Sequence, residues 1–221
     1  MRLRLRRRWW REIFFLCALL FSLAALLPLR LALGLLGYAD KGLSAREATG
    51  SVWLGALSEA RFGTVALGDV ATRLRFLPLL IGRARLDVEQ SDDGLRGGVT
   101  VSRHGFGIDD ATGRLEAAAL AGLPPPTLDL ADLSLRFADG LCVHAEGLVN
   151  ARFAGELGGV ALAGGFSGEA RCDGPALLLP LVSQSGGERL DVRMFADGRY
   201  RVDVALRPGG VLYSRRFDGS F

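Results

Sequence analysis

The sequence predicts a mainly β protein: an N-terminal transmembrane helix followed by a curved antiparallel β-sheet, half-open or sandwich-like. Three observations carry this. Ile13–Leu29 contains no charged side chain. From residue 44 onward the apolar residues recur with a period of two rather than 3.6. Thirty glycines in 221 residues punctuate these alternating stretches, as tight turns and bulges require.

The N-terminus sets the topology. Six arginines lie within residues 1–12, against the single acid Glu12. The remaining chain carries 21 basic and 23 acidic residues, so the high isoelectric point belongs to the N-terminus alone. With no basic stripe on the body, nucleic acid is excluded as a partner. The arginines read as a cytoplasmic topology signal before a membrane span. Ile13–Leu29 would rise about 25 Å as a helix, short of a ~30 Å hydrocarbon core. A snorkelling Arg30 extends the reach, and the anchor is assigned to residues 13–36. Pro28 is expected to kink or end its helix. The alternative is a cleaved signal with a loose small-x-small site at Ala32-Leu33-Gly34, but the apolar run is long for one. As an anchor, it places Trp9 and Trp10 at the cytoplasmic interface and Arg30 at the far one. Residues 1–12 are then cytoplasmic. Residues 37–221 form a β-domain on the other side, the periplasm of a bacterium with two membranes.

Within the body, the clearest element is a hairpin. Leu190, Val192 and Met194 share one face, and after "ADGR" Tyr200, Val202, Val204 and Leu206 resume it, with Asp197-Gly198 supplying the positive φ of the turn. The same alternation sets Ala84, Leu86 and Val88 against Arg85, Asp87 and Glu89, and Leu133, Leu135 and Phe137 against Ser134 and Arg136. About ten to twelve strands are expected. "FLPLLIG" (Phe76–Gly82) breaks the pattern and fits either one helical turn near Pro78 or an apolar plug at an open edge. Pro124, Pro125 and Pro126 are expected to form a polyproline-like crossing that divides the body in two. "VLYSRRFDGSF" reads as a short tail that need not pack as a strand.

No residue constellation suggests chemistry. The chain has no GxSxG, P-loop or HExxH pattern. Asp92-Asp93 and Asp109-Asp110 sit near glycines and read as turn residues. The expectation is therefore no enzyme, no catalytic residue, no cofactor and no metal. Of three cysteines, Cys17 falls in the apolar run. In an exported body, Cys142 and Cys172 form a disulfide. Two free thiols, or a metal site with His144 on the same strand face as Cys142, remain alternatives, the latter lacking an evident fourth ligand. Trp53, a large aromatic on an early, edge-prone strand, is either a cap on the core or a partner contact.

Several landmarks resemble a known family. "ATGSVWLG" (Ala48–Gly55), "LRFLPLLIG" (Leu74–Gly82) and "LPLVSQSGGERLDVRMFADGRYRVDVALRP" (Leu179–Pro208) are similar to protein N of the general secretion pathway, the N component of type II secretion systems. The resemblance implies a single-pass inner-membrane protein with a cytoplasmic N-terminus and a periplasmic domain. It implies contacts with other components of a machine that moves folded proteins across the outer membrane. The stretch from "TGSVWLG" to "LLIG" also resembles the sheet unit of AsmA-like envelope proteins. That resemblance implies an alternative, a lipid- or hydrophobe-binding trough. Val65, Leu67, Leu74, Leu86, Val88, Leu133, Leu135, Phe137, Val202, Val204 and Leu206 would line it.

Overall fold

The computed structural model describes residues 12–19, 22–23, 25–35, 43–62, 65–91, 94–117, 124–157, 160–161, 164–206 and 213–220. Among these residues, seventeen strands follow a short helix, α1 (Leu29–Leu35). They are β1 (Leu43–Ser44), β2 (Glu47–Gly50), β3 (Leu54–Phe62), β4 (Val65–Arg75), β5 (Arg83–Gln90), β6 (Arg96–Ser102), β7 (Gly105–Glu116), β8 (Pro126–Ala138) and β9 (Leu141–Phe153). After these come β10 (Glu156–Leu157), β11 (Val160–Ala161), β12 (Phe166–Glu169), β13 (Arg171–Asp173), β14 (Ala176–Ser183), β15 (Glu188–Met194), β16 (Arg199–Leu206) and β17 (Tyr213–Ser220). One helical turn, α2 (Phe76–Leu79), links β4 to β5.

Fifteen strands make one antiparallel sheet, and β10–β11 form a separate ribbon. The main path runs β3 to β9 in chain order, then β12, β14, β15, β16 and β17. Near neighbours in sequence are thus neighbours in space, as a hairpin meander requires. β1 and β2 pair successive parts of β3 and act as one interrupted edge strand. β12 and β13 are likewise one strand broken opposite Pro180. Proline has no N–H to offer the ladder. On its other side the chain stays in register with β9, where the Ala170 N–H donates to the Gly147 carbonyl at 2.9 Å.

A row of bulges creases the sheet. Register shifts interrupt β6–β7, β7–β8 and β8–β9 near Gly97, Asp110 and Asp132. Asp110 (φ 55°) and Asp132 (φ 51°) take the left-handed conformation that a short polar side chain tolerates. Side chains satisfy the backbone donors released there: Asp110 N–H donates to Ser134 Oγ (3.0 Å), and Asp132 N–H donates to Thr112 Oγ1 (3.2 Å). Each bulge preserves the inward face. In β8, Leu128 and Leu130 precede the bulge and Leu133, Leu135 and Phe137 follow it, an offset of three rather than two. Without the extra residue the second set would point away from the core. Asp109-Asp110 is therefore a bulge inside a strand and not the turn expected; Asp92-Asp93 lies outside the described residues.

The apolar face gathers into one core of β7–β9 and β12–β17, including Val149, Ala151, Phe166, Leu177, Leu190, Val202 and Val204, each at most 1% exposed. No other described element lies over this face, so the sheet's own curvature covers it. The architecture is one curved sheet, not a two-sheet sandwich. A smaller cluster seats Leu29 of α1 on Leu57, Ala60 and Val70 of β3 and β4.

Three expectations need correction. The prolines do not divide the body: Pro126 opens β8, accepts from Ala117 N–H at 3.0 Å, and β7 and β8 pair from Gly105 to Glu116. A first strand residue is where proline does least harm to a ladder. The C-terminal residues are no loose tail, because β17 pairs along all of β16 and Phe217 packs on the core. Finally, residues 13–36 do not continue as one helix. Residues 12–19, 22–23 and 25 are helical. The chain then turns, Pro28 bridges to Ser51, and α1 buries Leu29 and Ala32. Proline disfavours helical geometry in the preceding residue and suits the start of the next helix. No helix among the described residues is long and apolar enough to cross a membrane.

Candidate functional site: the Trp53 end of the sheet, the Arg85 cluster and the disulfide

Trp53 lies at the tip of the β2–β3 hairpin rather than within a strand. The tip is closed by Ser51, whose N–H donates to the Leu54 carbonyl (2.9 Å) and whose Oγ accepts from Leu54 N–H (3.2 Å). The Trp53 carbonyl accepts from Leu74 N–H at 3.2 Å, and its half-buried ring lies 6.1 Å from that of Phe76. The N-terminal apolar run arrives here too: Val52 N–H donates to the Leu27 carbonyl at 3.1 Å. Arg30 is exposed on the first turn of α1. Trp9 and Trp10 lie outside the described residues.

Beside this tip, α2 confirms the helical-turn reading of "FLPLLIG". The N–H groups of Leu80, Ile81 and Gly82 donate to the carbonyls of Leu77, Pro78 and Leu79 at 3.0–3.2 Å. Phe76, Leu77, Leu79, Leu80 and Ile81 remain 36–76% exposed.

The polar face of β2–β7 forms an open groove of about 780 Å³. Arg85 lies in it: its Nε donates to Asp87 at 3.1 Å, and its terminal nitrogens lie 3.5 and 3.6 Å from Asp109 and Asp110. Gly98 leaves the guanidinium room, since a Cβ there would stand 3.1 Å from it. Burial works to raise the Asp87 pKa, but hydrogen bonds from Arg75 and Arg85 outweigh it and hold the carboxyl below its usual range. For Arg85, burial works downward, and the bond to Asp87 with the charges of Asp109, Asp87 and Asp110 prevails upward. Charges matched in this way fasten strands and do not poise a proton for transfer. Sequence reasoning missed this cluster, whose members are spread over three strands.

Cys142 and Cys172 are bonded, with Cα atoms 5.5 Å apart, joining β9 to β13. Both sulfurs are thereby removed from metal binding or nucleophilic chemistry. His144 does not join them: Cys142 is buried, a register shift follows, and His144 is exposed with Nε2 3.3 Å from Glu146.

Five of the residues expected to line a hydrophobe trough are core residues instead. Leu133, Leu135, Phe137, Val202 and Val204 pack together in the main core. Leu67, Leu74, Leu86 and Val88 are half-buried, and the side chains of Val65 and Leu206 lie outside the described residues.

With the meander, its tip and its disulfide in place, the family can be stated. The model of the type II secretion system (T2SS), protein N, matches residues 41–213. The chain belongs to that family. The match spans the sheet from β1 to the first residue of β17. It makes this chain a type II secretion component associated with the cell envelope, in a family of non-catalytic components. No curated protein and no solved structure matches the chain.

Proposed function

We propose that this protein is a non-enzymatic inner-membrane component of the type II secretion system, supporting export of folded periplasmic proteins through protein–protein contacts. The family match over residues 41–213 carries the reading. Residues 1–12 face the cytoplasm, the apolar run from Ile13 to Leu27 anchors the chain, and the sheet lies in the periplasm. Three features support this topology: the arginine cluster before the run, Arg30 after it, and a disulfide suited to an oxidising compartment. In this arrangement Trp9 and Trp10 sit at the cytoplasmic interface. The anchor ends at Pro28 rather than residue 36, because Leu29 and Ala32 are packed on the sheet. The body is thus held against the membrane with no linker between.

Trp53 is the proposed partner contact, placed where a second membrane component would meet the sheet. The outer edge of β17 is a further surface for strand addition, guarded by the exposed charges Arg215, Arg216 and Asp218. Photoreactive residues at position 53 and along β17 should capture another type II secretion component in cells. Deleting the apolar run should abolish secretion while the body still forms its disulfide. Full secretion from an unanchored, exported body would refute the tethered role.

A further inference from the structure

The exposed apolar turn at α2 has no role in the core. Between Arg73 and Arg85, "RLRFLPLLIGRAR" places six large apolar side chains and Pro78 among four arginines, without one acid. Five large apolar side chains of this turn point to solvent, with Leu77 76% and Ile81 72% exposed. A soluble surface rarely gathers such a patch without a partner. The sheet's geometry says what that partner is. α2 caps the end of β4–β5, and the Trp53–Phe76 ring contact joins it to the β2–β3 tip. That same tip receives Leu27 and Pro28, the last residues of the apolar run. The wedge and the end of the anchor therefore emerge side by side from one end of the sheet. Exposed Arg30 and Arg83 lie next to them in the chain, with Leu54 exposed on the same hairpin, while Arg75 is held by Asp87.

We infer that the α2 turn is a second membrane contact: Phe76, Leu77, Leu79, Leu80 and Ile81 enter the interface of the bilayer that holds the anchor. Its neighbouring arginines meet anionic headgroups. The inference rests on the anchor reading above. Two contacts instead of one fix the orientation of the sheet, since a single helix leaves rotation about its own axis free. The strands then stand away from the membrane, and the far end of the meander is presented to the periplasm.

The full chain, with Cys17→Ala and the disulfide intact, tests this in vesicles of phosphatidylethanolamine and phosphatidylglycerol. An environment-sensitive fluorophore is placed singly at Leu77→Cys, Leu80→Cys, Phe15→Cys and Leu148→Cys, all exposed positions. A lipid-borne quencher should quench positions 15, 77 and 80 and spare position 148, on the middle of β9. Quenching at 15 with positions 77 and 80 behaving like 148 would overturn the inference and leave the anchor intact. No quenching at 15, 77 or 80 would sink both. Protection of 77 and 80 from an impermeant maleimide in cells, without quenching in vesicles, would assign the wedge to a protein and overturn the lipid contact.

Discussion

At the level of single residues, the consequential groups are those that tie distant segments together. The Cys142–Cys172 bridge closes a loop of 30 residues. By loop-closure entropy it is worth about 3–4 kcal/mol. Cys142→Ala with Cys172→Ala, or reduction of the native protein, should lower the unfolding free energy from denaturant titration by that amount without changing the sheet signal in circular dichroism. Asp129 works differently, accepting from Arg114 of β7 (2.9 Å) and from Arg152 of β9. The Arg114 bond, opposed by burial and aided by Arg152, holds its pKa below the usual carboxylate range. Asp87 is depressed as well. A depressed carboxyl stabilises the fold above its unfolded pKa, and that contribution disappears as pH falls through the lower folded value. Stability should therefore be flat near neutrality and decline below about pH 4. In Asp87→Asn this acid-dependent part should shrink, with a loss of roughly 1 kcal/mol at neutral pH. Equal acid sensitivity in the two proteins, measured by denaturant titration, would remove Asp87 from the account.

Among elements, the crease is decisive. Gly147 in β9 has φ +108°, and a Cβ there would stand 2.6 Å from the Asp132 carbonyl oxygen. Gly147→Ala should cost roughly 2–3 kcal/mol, combining backbone strain with a clash against another strand. Gly140→Ala, in the β8–β9 turn, has similar backbone strain (φ +82°) but open space around it. It should cost only about 1 kcal/mol. Equal losses in the two variants would mean that the crease is not tightly packed. The alternation in the sequence made most of these strands legible. The glycines announced bulges without placing them, although the offset from Ile108 to Ala111 and from Leu130 to Leu133 records their positions. That offset is ambiguous in one strand alone and gains meaning only when three neighbouring strands slip in the same row. The hairpin of β15 and β16 was legible because Gly198 (φ +82°) and the inward face of Leu190, Val192, Val202 and Val204 are local facts. β17 was missed because its strand character depends on pairing to an exposed edge, which no local pattern announces.

For the molecule as a whole, the single-sheet meander predicts a cooperative unit at its C-terminal half, where the main core lies, and a lighter N-terminal half seated on α1. Leu190→Ala, with its side chain fully buried, should cost about 3 kcal/mol. Leu77→Ala on the exposed turn should leave stability unchanged, and comparing the denaturant midpoints of the two variants checks the assignment. A large loss at Leu77 would place the turn inside the core and leave nothing to meet a membrane.

The sequence by itself determined the β class, the antiparallel hairpins, the basic N-terminus and the family, because each is written in periods, turns and landmarks a few residues long. It narrowed the cysteines to a pair without fixing the bond. Only the tertiary structure decided that one sheet covers its own apolar face, that the described trough residues of β8 and β16 are core, and that Leu29 belongs to the body. It also brought Leu27, Trp53 and Phe76 to the same end of the sheet. These outcomes depend on contacts between segments far apart in the chain, and on burial, which an alternating pattern orients but cannot measure.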